Sequence, residues 1–155
     1  MAIWVIHSGK RREAHPLFVA GHVALAWRRL RDLSSLEESR TAFKREYRRH
    51  YRHQSESDIE QGAGCLYRFV HKLERGDFVI YPSGPDCLVR VGRVTRGYQY
   101  RPALNSEFPH VRRVRWLDTV LRKNLPTEVK EAISGRNPLY EPHQHLDELR
   151  AALLP

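Results

Sequence analysis

The stretch GAGCLYRFVHKLERGDFVIYPS, residues 62–83, decides the fold because its apolar pattern changes from helical to strand-like within a few residues. In Cys65–Leu73 the apolar residues share one face, which predicts a helix with one buried side. The two glycines at the start of the stretch predict a break from a short helical segment at Ser57–Glu60. Gly76–Asp77 ends the helix, and Phe78–Tyr81 follows as a short buried strand.

Further strands are predicted on both sides of this stretch. Pro82–Asp86 has the composition of a turn, and Cys87–Val94 alternates apolar and polar residues as a returning strand does. The other predicted strands are Ala2–Ser8, His22–Trp27, Gly97–Arg101 and Val111–Leu117. The order lacks regular βαβ alternation, and short strands with Gly and Pro turns are typical of small barrels. We therefore predict an α+β fold, a small mixed or antiparallel β-barrel with helices packed around it.

The longest predicted helix combines an aromatic face with a basic face. It spans Leu33–Tyr51, with Ser34 or Ser35 as its N-cap. Phe43 and Tyr47 recur at a spacing of four residues and predict the inner face, while arginines occupy the outer one. Shorter helices are expected at Glu13–Ala20, from Leu125 to Ser134 and from Pro142 onward.

Length and composition favour one folded domain, residues 1–155. The chain is 41% hydrophobic, and no apolar run approaches the roughly 20 residues that span a membrane. Two cysteines are too few for a disulfide framework, so we expect a cytoplasmic protein without a membrane partner. The net charge of +9, carried mostly by arginine, predicts a polyanionic partner, with nucleic acid as the first candidate.

The sequence carries no motif that indicates catalysis or a cofactor. It contains no GxxxxGK[ST] loop, no GxGxxG after a strand, and no HExxH or CxxC. The close histidine pairs, His50 with His53 and His143 with His145, lack partners at a metal-ligand spacing. Cys65 reads as a small core residue. We therefore expect a protein that is not an enzyme and that holds no metal or cofactor.

Trp27 is the most informative single residue. It ends an apolar strand and is followed at once by Arg28 and Arg29. An aromatic ring at the lip of a strand beside a basic loop can stack on a nucleobase, whereas the alternative is a tryptophan that closes one end of the core. Trp4 and Trp116 lie within strands, where a core position is favoured.

Four stretches together resemble the EVE group of PUA-like domains, and within it the versions found fused to, or beside, Mrr-type and HNH restriction nucleases. The resemblance covers about residues 2–120 and is weaker from about residue 121. Its stretches are AIWVIHSGK (2–10), GHVALAW…LRDLSSL (21–36), GAGCLYRFVHKLERGDFVIYPS (62–83) and VRVGRVTRGYQYRP…RRVRWL (89–117).

This resemblance implies a barrel with an aromatic-walled pocket, into which relatives of the EVE, YTH and SRA-like set flip a modified base. Pro82 replaces a histidine of the family pattern, and Cys65 stands where many relatives have a polar residue, which leaves the polarity of the pocket open. Carried over, the pocket residues are Ser8, Gly9, Trp27, Asp32, Leu33, Tyr81 and Ser83. The expected phosphate contacts are Arg28, Arg29, Arg45, Arg48, Arg49, Arg52, Arg112 and Arg113.

The expected function is therefore non-catalytic recognition of modified DNA by base flipping, in a restriction or phage-defence setting. The base is 5-methylcytosine, 5-hydroxymethylcytosine or N6-methyladenine, and cleavage requires a nuclease partner supplied in trans or as a fused domain. Two alternatives remain open. One is an RNA-binding PUA-like protein, and the other is a small nucleotide-binding sensor or enzyme that uses the same pocket.

Overall fold

The structure, a computed structural model, describes residues 1–9 and 12–155. Within these residues the strands are β1 (Ile3–Ile6), β2 (His22–Leu25), β3 (Phe78–Pro82), β4 (Leu88–Val94), β5 (Gln99–Tyr100), β6 (His110–Leu121) and β7 (Leu139–Tyr140). The α-helices are α1 (His15–Val19), α2 (Arg40–His50), α3 (Glu56–Tyr67), α4 (Thr127–Ala132) and α5 (Leu146–Leu153). None of the helices in these ranges is long and apolar enough to span a bilayer.

The strands form one curled sheet in the order β2-β6-β4-β3-β1-β7, with β5 also paired to β6. β1 and β3 are parallel, and the other pairs are antiparallel. The curl arises at β6, whose first half pairs with β2 and β5 while its second half pairs with β4. A bulge between Val91 and Gly92 adds to the bend. The predicted α+β class with a mixed, barrel-like sheet is confirmed at this level.

Helices cover both faces of the sheet, which explains why β1 is apolar at every position. Successive side chains of a strand point to opposite faces. Trp4 and Ile6 pack into the core that includes α1, α2 and α3. Ile3 and Val5 pack into a second core together with α4 and α5. The C-terminal helices, which carry the weaker part of the resemblance, thus complete the burial of the same sheet.

The connection before α2 is irregular, so the prediction of a helix from Leu33 was wrong. Neither Ser34 nor Ser35 is the cap; Ser39 is, and its Oγ accepts a hydrogen bond from the Ala42 amide at 3.2 Å. Leu33 is only 2% exposed although it lies outside any helix. Burial of that side chain holds the segment against the core in a non-helical conformation.

The prediction that glycines interrupt the next helix was also wrong, because α3 runs without a break through Gly62 and Gly64. Gly62 faces Tyr47 of α2, and a Cβ built there would lie 2.5 Å from the ring atom Cε2. The missing side chain therefore allows close packing of α3 on α2. Two further differences lie at the C-terminus, where β7 was not predicted and α5 begins at Leu146, later than the predicted Pro142.

The break before β3 is held by one carboxylate. Asp77 is 4% exposed, and it accepts hydrogen bonds from the Ala2 amide at 3.1 Å, the Trp4 indole at 3.0 Å and the Glu74 amide at 2.9 Å. It ties the first strand to the turn that follows the helical stretch. Trp4 is 3% exposed, so its predicted core position is confirmed.

Candidate functional site

The loop after β2 places Trp27 in an unusual backbone conformation. Its φ is 49°, in the left-handed region that bulky residues rarely adopt and that costs about 1–3 kcal/mol. Its carbonyl oxygen accepts hydrogen bonds from the Leu30 amide at 3.0 Å and from Nε2 of His110 at 3.2 Å. Such strain persists only where the surroundings fix it, and it concentrates at functional sites.

A chain of hydrogen bonds through His110 and Tyr98 holds the backbone of this loop. Burial lowers the pKa of His110 to about 4, so the ring is neutral near pH 7. With Nε2 donating to the Trp27 carbonyl, Nδ1 accepts from the Tyr98 hydroxyl at 2.7 Å. That hydroxyl in turn accepts from the Leu33 amide at 3.2 Å. The backbone of the loop is therefore held at two points by one histidine–tyrosine pair.

The side chain of Trp27 is held by aromatic residues of α2. Its indole N–H donates to the Tyr47 hydroxyl at 2.9 Å, and this hydroxyl donates to Gln54 Oε1 at 2.6 Å. The rings of Trp27 and Tyr47 meet edge to face with centroids 6.3 Å apart. Tyr51 stacks on Tyr47 at 4.9 Å, and the Arg29 guanidinium lies 5.4 Å from the centre of the Tyr51 ring. The indole thus occupies one defined position.

A cavity of about 290 Å³ opens beside the indole. Two aromatic rings form part of its wall, and carboxamide and carboxylate groups supply polar atoms. A volume at the lower limit of ordinary small-molecule pockets suits one planar ring system. The lining residues are Trp27, Tyr47, Gln54, Asp58, Gln61, Gly62, Asn137 and Pro138.

Gly62 shapes this cavity, and alanine there should disturb it. Gly62→Ala is expected to lower the free energy of unfolding by about 1–3 kcal/mol because the methyl group collides with the Tyr47 ring. Gly64→Ala is the matched control on the same helix. Its Cβ meets only the end of the flexible Arg68 side chain, at 3.3 Å, so the gain in helix propensity should leave stability equal or higher. Urea denaturation of both variants checks this, and equal stabilities would contradict it.

The other expected pocket residues do not line the same cavity. Ser8 and Gly9 line a different cavity of about 430 Å³, together with Arg12 and Arg122. Tyr81 is buried and does not line either cavity. The prediction that all of these residues share one pocket with the indole was therefore wrong. Residues that follow the ends of different strands are separated by the width of the sheet.

Three of the expected pocket residues, Ser8, Tyr81 and Ser83, instead meet in a polar network. The Tyr81 hydroxyl donates to Ser8 Oγ at 3.1 Å. Nδ1 of His15 lies 2.8 Å from the Tyr81 hydroxyl and 3.2 Å from Ser83 Oγ, and its Nε2 lies 3.4 Å from Asp86. Serine, histidine and aspartate follow each other as in a hydrolase triad, but here the serine lies at Nδ1 and the aspartate at Nε2, the reverse of the arrangement in such a triad. In addition, Ser83 is 1% exposed and does not line the neighbouring cavity, so this hydroxyl is closed to a substrate.

Two more expected rim residues support the Trp27 loop and do not form its cavity. Asp32 is exposed, and its carboxylate accepts from the Ser34 amide at 3.0 Å. Leu33 is buried and offers only its amide, to Tyr98. Cys65 is buried as well, and burial raises the pKa of its thiol to about 12. It does not line the cavity beside Trp27, so it does not set the polarity there.

The expected phosphate contacts differ in accessibility. All are exposed except Arg112, which is 2% exposed. Its Nη1 donates to the Phe69 carbonyl at 2.8 Å and its Nε to the Arg96 carbonyl at 3.0 Å. Phosphate contact by Arg112 was therefore a wrong prediction, because alternation along β6 turns this guanidinium into the core.

Several of the exposed arginines have carboxylate neighbours. Arg28 pairs with Glu107 at 2.9 Å, and on α2 Arg49 pairs with Glu46 at 3.4 Å. Arg48 pairs with Glu56. The basic face of the helix is thus partly neutralised by Glu46 of the same helix and by Glu56 at the start of α3.

The chain matches, over residues 4–137, the family model described as "Domain of unknown function (DUF8426)". The chain belongs to the DUF8426 family. The matched range contains the Trp27 loop and nearly all of the cavity lining, so the candidate site lies within the DUF8426 domain. No match to a curated protein was found.

Proposed function

We propose that this DUF8426 domain is a non-catalytic reader of modified DNA that takes one flipped base into the cavity beside Trp27. The half-barrel sheet is proposed to be PUA-like, and the setting is proposed to be restriction or phage defence with a separate nuclease. The observation that supports this proposal most directly is the fixed indole of Trp27. It lies beside a cavity of about 290 Å³ that is also lined by carboxamide groups.

The lining chemistry supports a nucleobase as the ligand. Gln54, Gln61 and Asn137 each carry a donor and an acceptor, which is what the hydrogen-bonding edge of a base requires. Every base also offers a π-face for an aromatic wall. The carboxylate of Asp58, which also lines the cavity, favours partners with N–H donors, such as an exocyclic amino group.

The energies are consistent with selection of a modified base. Extrusion of a base costs a few kcal/mol, and aromatic stacking returns roughly 1–3 kcal/mol. Burial of one added methyl group contributes about 0.8 kcal/mol. Affinity must therefore come largely from phosphate contacts, and the pocket contributes the difference between modified and plain duplex.

Titration of matched duplexes tests the proposal. At one fixed salt concentration, a duplex with 5-methylcytosine, 5-hydroxymethylcytosine or N6-methyladenine should bind about fourfold to tenfold more tightly than the plain duplex, as burial of one added group implies. Fluorescence anisotropy with labelled duplexes measures the ratio. Equal affinity for all four duplexes would defeat the proposal.

The same assay separates the two alternatives. RNA is favoured as the ligand if single-stranded RNA displaces bound modified duplex at a lower concentration than plain duplex requires. A free nucleotide that binds without a polymer would favour a nucleotide sensor. Because duplex binding depends on several phosphates, a free nucleotide is not expected to compete at low concentration, and single-stranded RNA, with its lower charge density, is expected to compete less well than duplex.

A further inference from the structure

A second surface of the domain concentrates arginine without any acidic residue. It is a groove of about 580 Å³ at the junction of β2, β5 and β6. Five arginines line it together with one histidine, one threonine, one glutamine and one valine. We call it the arginine groove, and its guanidiniums belong to Arg75, Arg96, Arg101, Arg113 and Arg115.

The sheet brings these residues together from separate parts of the sequence. Arg113 and Arg115 are two residues apart on β6 and both are exposed, so they lie on the same face of the strand. His22 of β2 is the cross-strand partner of Arg113, and their side-chain nitrogens lie 3.0 Å apart. Arg96 and Arg101 flank β5, which pairs with the same strand.

The charges of the groove are uncompensated, unlike those on α2. Within residues 1–9 and 12–155, no carboxylate lies within 4.0 Å of the five guanidiniums. Burial, followed by the charges of Arg113 and Arg101, lowers the pKa of His22, as expected for a ring in a positive field. Like charges that line one groove repel each other, which opposes folding. A bound polyanion would remove that repulsion.

A buried guanidinium also fixes one side of the groove. Arg112 holds the carbonyl groups of Arg96 and Phe69 at 3.0 and 2.8 Å, which ties the turn before β5 to the helical stretch. It is a positioning residue because its side chain is buried. The turn that carries Arg96 is therefore held in place before any ligand arrives, which lowers the ordering cost of binding.

We infer that the arginine groove binds the phosphate backbone of duplex DNA and that it, more than the basic face of α2, supplies the salt-dependent affinity. This rests on the proposed function. His22 is the first residue of β2, and Trp27 follows the end of this strand five residues later, which is at most about 17 Å of extended chain. At roughly 3.4 Å per nucleotide, a segment of about five nucleotides spans groove and cavity.

Paired alanine variants with equal charge changes test the inference on a plain duplex. R96A/R101A removes two guanidiniums of the groove, and R48A/R49A removes two from α2. The groove variant should bind plain duplex about tenfold or more weakly. The slope of log K against log salt should fall by about 1.8, which corresponds to two lost phosphate contacts. The α2 variant should lower the slope by clearly less than the groove variant does, because Arg48 and Arg49 already pair with Glu56 and Glu46. All four side chains are exposed, so melting temperatures should remain unchanged.

The outcomes distinguish this inference from the proposed function. Three outcomes would overturn the inference about the groove. R96A/R101A could keep the wild-type salt slope, R48A/R49A could lose as much affinity for plain duplex or more, or the wild type could fail to bind plain duplex. Equal binding of modified and plain duplex by the wild type concerns only the cavity. In that case the groove is still tested by the slopes, since they are measured on plain duplex.

Discussion

Trp27→Ala is expected to abolish the preference for modified duplex while leaving the affinity for plain duplex nearly unchanged. The substitution removes the aromatic wall and its stacking contribution of roughly 1–3 kcal/mol per base. This is comparable to or larger than the fourfold to tenfold preference, about 0.8–1.4 kcal/mol, so the affinity for modified duplex should fall to that for plain duplex. Binding of plain duplex depends on phosphates, which the indole does not contact in this proposal. Anisotropy titrations with both duplexes at one salt concentration measure the two effects separately.

Two other substitutions at this position serve as controls for folding and for ring chemistry. Glycine tolerates a φ of 49° without strain, so Trp27→Gly removes the ring and should show the same loss of preference with no strain left in the loop. Trp27→Tyr keeps an aromatic face and should restore part of the preference. A variant without any ring at position 27 that still discriminates between the duplexes would rule out the cavity as the reading site.

The sequence could predict Trp27 but not the cavity around it. A tryptophan between an apolar strand and basic residues is visible in the sequence, and so is the inward aromatic stripe that contains Tyr47. Gln54, Gln61 and Asn137 gave no signal, because isolated amides form no periodic pattern and Asn137 lies far from the other two in the chain. Their common location depends on the packing of α3 and on the course of the C-terminal segment.

The arginine groove, like the cavity, could not be predicted from the sequence, although the net charge could. A count of basic residues predicts a polyanion, and clusters such as the basic helix attract attention first. Part of the compensation by carboxylates is invisible in the sequence, because Glu56 and Glu107 approach Arg48 and Arg28 only in the folded chain. Alternation along β6 also decides that Arg113 is exposed while its neighbour is buried.

The strands were more predictable than the helix boundaries. Alternation and apolar runs located β1 to β4 and β6, because a buried strand must be apolar on each covered face. The break at Gly62 was predicted from propensity alone, and tertiary packing on Tyr47 overrode it. The late start of α2 likewise reflects the burial of Leu33, which propensity does not register.

Asp77→Ala is expected to lower the free energy of unfolding by about 3–5 kcal/mol. Three donors lose their acceptor at once, and the Trp4 indole N–H is left buried without a partner. Each unsatisfied buried donor costs about 1–3 kcal/mol. The bonds join β1 to the turn before β3, two strands that also pair directly, so their loss weakens the centre of the sheet. Urea denaturation followed by circular dichroism measures the change.

Asp118→Ala is the matched control, since it removes the same side chain at an exposed position. Among the described residues, that carboxylate accepts only from the adjacent Thr119 amide, at 2.8 Å, so the loss should stay below about 0.5 kcal/mol. Asp77→Asn should fall between the two, because one carboxamide oxygen can still accept while the amino group faces other donors. The prediction fails if Asp77→Ala and Asp118→Ala lower the free energy of unfolding by amounts within about 1 kcal/mol of each other. The three bonds would then contribute little beyond what water offers in the unfolded chain.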